Sequence, residues 1–316
     1  MVIKVLDRAS MGFDLSFDLL KKIGETEVYD TTSNDELVAR VADADVLVIN
    51  KIRITEEIIM NAEKLKLICV FATGYDNIDV VAAKKRGVAV CNVPGYSTDS
   101  VALFTVANVL CLYSKLTEYR RHVSCGKYTE EGKANLLTPV YHELRGKTWG
   151  IIGFGNIGRA VAKVAEAFGA NVIVTKRTPV EDYECVDVDT LCERSDIITV
   201  HCPLNDGTKN LINEERLAKM KSSAVLVNEA RGAVLDEAAV AKAVIEGKIG
   251  AFGCDVYSAE PFDKKHPYTE IMGLDNVCLT PHAAWGAYEA RVRCLDVICS
   301  NIESYLEGKT LNRVDK

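Results

Sequence analysis

The chain has 316 residues, 48% hydrophobic and 26% charged, with a net charge of −7 and a pI near 5.4. That length exceeds one typical domain and the composition is ordinary for a globular protein, so two domains are expected. The acidic balance argues against a nucleic-acid surface, no apolar run nears the ~18 residues of a membrane span, and the opening MVIKVLDRAS is too brief for a signal segment. Eleven scattered cysteines without C-x-x-C spacing read as reduced core thiols of a cytoplasmic protein, with no metal site.

Residues 1–98 alternate strand and helix. Val2–Leu6 is a predicted strand, Phe13–Ile23 an amphipathic helix and Val28–Tyr29 a short strand. Asn34 or Asp35 is expected to cap a helix running to Val41, and Ala44–Ile49 is a predicted strand, apolar apart from Asp45. Thr55 should cap the next helix, with Glu56 and Glu57 favourably placed in its first turn. Leu65–Ala72 and Val88–Val93 are predicted strands flanking a helix over Val80–Arg86. Strands joined through helical segments imply right-handed crossovers and a parallel sheet. This half has no glycine-rich phosphate loop and is expected not to bind nucleotide.

Pro94-Gly95 marks a break. Ser97 or Thr98 should cap a long helix reaching about Tyr119; it is apolar nearly all round, which predicts burial between domains or in a subunit interface. Residues 120–145 are polar and irregular, a predicted surface arm. Then comes KTWGIIGFGNIGRAVAKVAEAFGANVIVTKRTP, residues 147–179. Gly150-Ile151-Ile152 ends a buried strand, and apolar residues recur at Ile157, Ala160, Val161, Val164, Ala165 and Phe168 with helical spacing. Gly169 is placed to stop that helix, and Asn171–Thr175 is a β-branched strand. Further strands are predicted at Ile197–His201, Ala224–Asn228, Gly250–Asp255 and Val277–Thr280, with helices over Asp236–Glu246 and Ala283–Leu306.

Between the first two strands of this half, Gly153-Phe154-Gly155-Asn156-Ile157-Gly158 completes a G-x-G-x-x-G. A glycine-rich turn alone is weak evidence, but in its strand–turn–helix–strand setting it predicts a dinucleotide site. Gly153 permits the sharp turn, Gly155 lets amides approach a pyrophosphate, and Gly158 allows close packing of helix on strand. An acid about 20 residues on would select NAD through its ribose hydroxyl. Here Thr175 is followed by Lys176-Arg177-Thr178, and the next acid is Glu181. Two cations and a hydroxyl suit a 2′-phosphate, which favours NADPH. Should those cations point into solvent, NADH remains usable.

Three polar residues each follow an apolar strand where open parallel sheets place their ligand crevice: Arg231, Glu260 and His282. Singly they read as a surface ion pair, a loop acid and a helix cap. Together they suit hydride transfer to an oxo acid. A guanidinium holds a carboxylate and polarises a carbonyl, an imidazole gives a proton near neutral pH, and a carboxylate orients that ring and favours its protonated form.

The segments ATGYDNID (72–79), VPGYSTDSVALFTVA (93–107), GIIGFGNIG (150–158), HCPL (201–204), NEARGAVLDE (228–237), GCDVYSAEP (253–261) and LTPHAAW (279–285) resemble the D-isomer-specific 2-hydroxyacid dehydrogenase family over essentially the whole chain. VINK at 48–51, ATGYDNID and PHAAW are most similar to glycerate dehydrogenases, or hydroxypyruvate reductases. The resemblance implies two doubly wound parallel-sheet α/β domains. The first, flavodoxin-like and substrate-binding, is split between 1–98 and 285–316. The second, a Rossmann NAD(P)-binding domain, covers 99–284. It implies that Arg231 binds the substrate, His282 is the acid/base and Glu260 orients it. Asp255 would hold the nicotinamide carboxamide, with Thr105, His201, Pro203 and Thr208 lining the cofactor and the backbones of Thr73 and Gly74 meeting the substrate carboxylate. Lys51 and Trp285 are candidates for reading the substrate's tail, each equally readable as a solvated strand end and as packing. A homodimer whose domains close over cofactor and substrate is expected.

Two departures stand out. Lys176-Arg177 replaces the acid of many relatives. Glu229 stands where a small or hydroxyl residue is common, and either competes for Arg231 or points into packing. The expected activity is reversible NAD(P)H-dependent reduction of hydroxypyruvate or glyoxylate. D-lactate or phosphoglycerate dehydrogenase is the alternative, and a dinucleotide-sensing, corepressor-like binding protein the rival from another class.

Overall fold

The structure, a computed structural model, describes residues 1–316. The chain divides into two compact units, one formed by Met1–Ser97 with Gly286–Lys316 and the other by Thr98–Trp285.

The first unit contains β1 (Val2–Val5), α1 (Asp18–Ile23), β2 (Glu25–Val28), α2 (Asn34–Val41), β3 (Val46–Ile49), α3 (Glu56–Asn61), β4 (Leu67–Val70), α4 (Val80–Arg86) and β5 (Ala89–Cys91). The strands pair in parallel in the order β2-β1-β3-β4-β5, the flavodoxin-like arrangement. Every residue of β3, β4 and β5 is buried, as parallel strands covered on both faces require. The C-terminal segment belongs here. On its helix Tyr288–Leu306, Asn301 Nδ2 donates to the Asn92 carbonyl at 3.0 Å, and beyond it the Val314 amide donates to Val90 at 2.9 Å.

Two details correct the sequence expectations. Helix α1 starts at Asp18 and not Phe13, because Gly12 turns the chain at φ +106° and Arg291 ties the loop down through Met11 O (3.1 Å) and Asp14 (2.8 Å to Oδ2). Helix α2 is capped by Ser33 and not by Asn34 or Asp35. Ser33 Oγ accepts the Glu36 amide while Glu36 accepts the Ser33 amide, a reciprocal cap that stabilises a helix by about 1 kcal/mol. Thr55 caps α3.

The second unit contains α5 (Thr98–Tyr113), α6 (Leu116–Ser124), α7 (Lys127–Glu131), β6 (Thr148–Ile152), α8 (Asn156–Ala167), β7 (Asn171–Thr175), β8 (Glu184–Cys185), α9 (Val188–Arg194), β9 (Ile197–Val200), α10 (Glu214–Lys219), β10 (Val225–Asn228), α11 (Glu237–Ile245), β11 (Ala251–Cys254) and β12 (Val277–Leu279). Its seven strands run in the order β12-β11-β10-β9-β6-β7-β8, all parallel. The order reverses between β6 and β9, so the ligand crevice falls at the carboxyl ends of these strands. Trp149 is fully buried in β6 and donates Nε1–H to Thr199 Oγ1 at 3.2 Å, which satisfies its one polar atom.

Here too the helices differ from expectation. The long helix stops at Tyr113, Lys115 adopts φ +57°, and a new helix starts at Leu116. Of the expected irregular arm over 120–145, residues 120–131 are therefore mostly helical, while 132–145 carry neither helix nor strand. Ala102, Val106, Val109 and Leu112 of α5 pack into the unit's own core with Trp149, Val161 and Ala165, which accounts for its apolar sequence. The last helix begins at Tyr288 and not Ala283, because the preceding residues form the loop that carries His282. All the cysteines are free, and no single helix is long and apolar enough to cross a membrane.

Candidate active site

The glycine turn joins β6 to α8. Gly153 has φ +91°, and a Cβ there would lie 2.4 Å from the Cys202 amide nitrogen, so only glycine lets the turn press against the chain leaving β9. A Cβ on Gly158 would lie 2.5 Å from the Gly153 carbonyl oxygen. Gly155 is different: a Cβ there meets nothing within 4 Å. Its side opens onto the amino end of α8, where no side chain caps the first-turn amides of Asn156, Ile157 and Gly158. Open room beside unclaimed amides fits a pyrophosphate. At the end of β7, Thr175 is half-buried and donates to Val186 O at 3.0 Å, while Lys176, Arg177 and Thr178 beyond it are exposed.

Around the turn, Thr105 is fully buried and donates to Val101 O at 2.7 Å. Thr208 donates to Pro203 O at 2.6 Å and accepts the Asn205 amide at 2.8 Å, fixing the loop beyond β9. Both ring nitrogens of His201 are buried without a hydrogen-bond partner. Burial pushes that imidazole down to about 3, so it is neutral, with one donor and one acceptor to offer a bound ligand. The residues present therefore fit a dinucleotide.

The carboxyl ends of β10, β11 and β12 bring the three catalytic candidates into one neighbourhood. Asn228 closes the turn that presents Arg231: its Oδ1 accepts the Ala230 amide at 3.0 Å and its Nδ2 donates to Arg231 O at 3.0 Å. Gly232 then packs so tightly on Tyr257-Ser258 that a Cβ would sit 2.0 Å from the Tyr257 carbonyl carbon. That contact seats the Arg231 turn against the loop bearing Glu260. Glu260 Oε1 accepts the Tyr257 amide at 3.0 Å, and Oε2 lies 2.6 Å from His282 Nδ1.

His282 sits at φ +53°, unusual for a non-glycine residue, and Asp255 holds it there. Asp255 O accepts the His282 amide at 2.8 Å. Its carboxylate accepts from Thr280 Oγ1 at 2.7 Å and from the Ala283 and Ala284 amides at 2.8 Å each. Asp255 thus shapes the imidazole loop, a role additional to the cofactor contact expected from the resemblance.

Sequence reasoning missed the clamp beneath Glu260. Glu237, at the start of α11, accepts the Ser258 amide at 2.9 Å and the Ser258 hydroxyl, and lies 3.0 Å from His266 Nε2. Glu237 was visible within NEARGAVLDE, but nothing local links it to Ser258 or His266.

Glu229 turns away from Arg231. It is 7% exposed, and its Oε1 accepts from Asn108 Nδ2 of α5 at 2.7 Å. Arg231 Nη1 donates to Ala230 O at 2.8 Å. Burial, with Asp255 adding repulsion, pushes the Glu229 carboxyl up to about 8.

The substrate-tail candidates divide between the units. In the first, Lys51 is exposed with its amide donating to Asp7 at 2.6 Å. Thr73 Oγ1 donates to Val93 O at 2.8 Å, and Gly74 is half-buried beside it. In the second, Trp285 is half-buried at the end of the His282 loop.

Residues 106–284 match the family profile of the D-isomer specific 2-hydroxyacid dehydrogenase NAD binding domain. The chain is 35% identical over 311 residues to a hydroxypyruvate reductase of Blautia hydrogenotrophica, covering 96% of each. Its structure is similar to an acyclic imino acid reductase in complex with NADPH and D-Arg (TM-score 0.86, 33% identity, covering 99% of this chain and 100% of that one). It is also similar to the D-lactate dehydrogenase of Aquifex aeolicus complexed with NAD and lactic acid (TM-score 0.87, 28% identity, covering 100% and 99%). A doubly wound sheet with a glycine turn and relatives of this kind define an oxidoreductase that uses a nicotinamide dinucleotide. The chain belongs to the D-isomer specific 2-hydroxyacid dehydrogenase family, whose substrates are small 2-oxo and 2-hydroxy acids.

Proposed function

We propose that the protein reduces hydroxypyruvate or glyoxylate to the D-2-hydroxy acid with NADPH, reversibly, as a cytoplasmic homodimer. The Thr98–Trp285 unit is assigned to the dinucleotide and the other unit to substrate. The observation that carries this reading is the 2.6 Å bond between Glu260 Oε2 and His282 Nδ1, on the edge that also bears Arg231.

A dinucleotide whose pyrophosphate is held at the glycine turn would supply or accept the hydride through its nicotinamide ring. Arg231 holds the substrate carboxylate and draws electron density from the carbonyl, which makes its carbon more electrophilic. His282 gives the proton that turns the carbonyl oxygen into a hydroxyl. Glu260, bonded at Nδ1, directs Nε2 to that task and offsets the ring's charge. Asp255 keeps the imidazole loop in shape and meets the carboxamide. Thr105, His201, Pro203 and Thr208 line the cofactor, the backbones of Thr73 and Gly74 take the carboxylate, and Lys51 and Trp285 read the tail.

NADPH is favoured because Lys176 and Arg177 stand exposed, unpaired with any acid, beside Thr178 at the end of β7. A second reading, reduction of a C=N bond, draws on the 33% identity with an acyclic imino acid reductase.

The test is the decay of NADPH and NADH absorbance with hydroxypyruvate, glyoxylate, pyruvate, 3-phosphohydroxypyruvate and pyruvate plus methylamine. Fastest turnover with hydroxypyruvate or glyoxylate and NADPH is expected. Turnover only with amine present would favour the second reading. Tight dinucleotide binding with slow turnover throughout would mark a sensor and overturn both.

A further inference from the structure

One ionisable group at this edge takes no part in delivering hydride or proton to substrate. Glu229 follows the last residue of β10. Its Oε1 is held by Asn108, and its Oε2 is buried without a hydrogen-bond partner. The titratable groups facing it are Asp255 and Cys254 from β11 and its end, Cys278 from β12, and Tyr257 beyond β11. Helix α5 contributes only the neutral amide of Asn108, and no cation pairs with the carboxyl. Asp255 adds negative charge and the rest add none at neutral pH, so the group has every reason to keep its proton.

A doubly wound sheet seats one mononucleotide over each half. The glycine turn belongs to the β6-β7-β8 half, which leaves the nicotinamide mononucleotide to the carboxyl ends of β9, β10 and β11. Glu229 and Asp255 stand at two of those ends. The pyridine ring there is neutral when reduced and cationic when oxidised. A cation beside a carboxyl lowers its pKa by roughly 1 to 3. Starting from about 8, such a displacement crosses neutral pH.

We infer that Glu229 exchanges its proton in step with the charge of the nicotinamide ring. It is a carboxylic acid beside the reduced ring and a carboxylate beside the oxidised one. In the reduction, a C–H bond of the dihydropyridine ring would break, oxidising the ring to a cation, and its hydride would form a C–H bond at the substrate carbonyl carbon, while an N–H bond of His282 breaks to protonate the oxygen. Separately, the O–H bond of Glu229 breaks and its proton passes to water, so that the carboxylate neutralises the new cation. When oxidised cofactor leaves, the proton returns. Affinity for the oxidised form therefore rises with pH relative to the reduced form, until Glu229 is ionised in both states. The inference rests on the dinucleotide reading above and does not need the identity of the oxo acid.

The test is calorimetric titration of the full chain with NADP⁺ and, separately, NADPH, in buffers of differing ionisation enthalpy from about pH 6.5 to about pH 9.5. The 2′-phosphate is common to both ligands, so the difference between them isolates the ring. The unaltered protein should release about half a proton or more per NADP⁺ near pH 7.5, in excess of any release with NADPH. That excess should vanish near pH 9.5. The ratio of Kd for NADP⁺ to Kd for NADPH should fall about tenfold or more over the same range. Glu229→Gln should abolish both effects. A flat pH series in the unaltered protein overturns the inference even if the variant does not fold, as does an undiminished release in Glu229→Gln. Binding of neither dinucleotide would overturn the function reading and this inference together. Proton release without turnover of any oxo acid would uphold the inference and sink the function reading alone.

Discussion

The backbone carbonyl of Asp255 accepts the amide of His282 at 2.8 Å, while the Asp255 carboxylate accepts the next two amides, Ala283 and Ala284. One residue thus pins the left-handed backbone that aims the imidazole at Glu260. Asp255→Ala would strand three donors, at about 1–3 kcal/mol each where they stay buried. We expect it to lower kcat by about 10² or more and to reduce Tm. Unaltered kcat and Tm would show that the loop holds its shape without the carboxylate.

The two glycines that open the dinucleotide motif should fail in different ways. Gly153→Ala places a Cβ 2.4 Å from a backbone nitrogen at φ +91°, so the protein should lose Tm or fail to accumulate. Gly155→Ala meets nothing within 4 Å and should keep its Tm while dinucleotide Kd rises about tenfold or more. Thermal unfolding paired with fluorescence titration of NADPH separates the outcomes. Unchanged binding in Gly155→Ala would remove the pyrophosphate from that turn.

Lys176 and Arg177 stand exposed just past β7. The double variant Lys176→Ala/Arg177→Ala should weaken NADPH by about tenfold or more and leave NADH within about twofold. Equal losses for both dinucleotides would dissociate these cations from the 2′-phosphate.

What could be read from the sequence was what nearby residues decide. The glycine turn, the strand Asn171–Thr175 and the helix Val80–Arg86 each rest on spacing within a few residues, and the structure has them at those bounds. The errors came from distant partners. Residues 13–17 continue an apolar pattern into α1, but Leu15 and Phe17 are buried from a loop tied down by Arg291. Ala283 and Ala284 read as helix, yet Asp255 captures their amides first. The break at Lys115 carries no glycine or proline to announce it. At the site, residue types were legible and their partners were not: Glu229 finds Asn108 across 121 positions, and Glu237 finds Ser258 across 21.

Burying Glu229 has a stability consequence with a definite sign. Its carboxyl lies near 4.5 when exposed and about 8 in the fold, so the folded state binds the extra proton. Stability from this group is full below about pH 4.5 and is lost as pH rises toward about 8, on the order of 5 kcal/mol. Glu229→Gln keeps the shape without the titration. Its Tm should match the unaltered protein near pH 5 and exceed it near pH 9 in thermal unfolding. A constant difference across that range would mean that Glu229 is ionised throughout.

Arg231, Glu260 and His282 are proposed to form one redox site for a 2-oxo acid. The most direct measurement compares hydroxypyruvate-dependent NADPH oxidation by the unaltered protein and by Arg231→Ala, with NADPH affinity measured in parallel. Arg231→Ala should lose about 10²-fold or more in kcat/KM with NADPH Kd within about twofold. Turnover by Arg231→Ala equal to that of the unaltered protein would contradict that assignment.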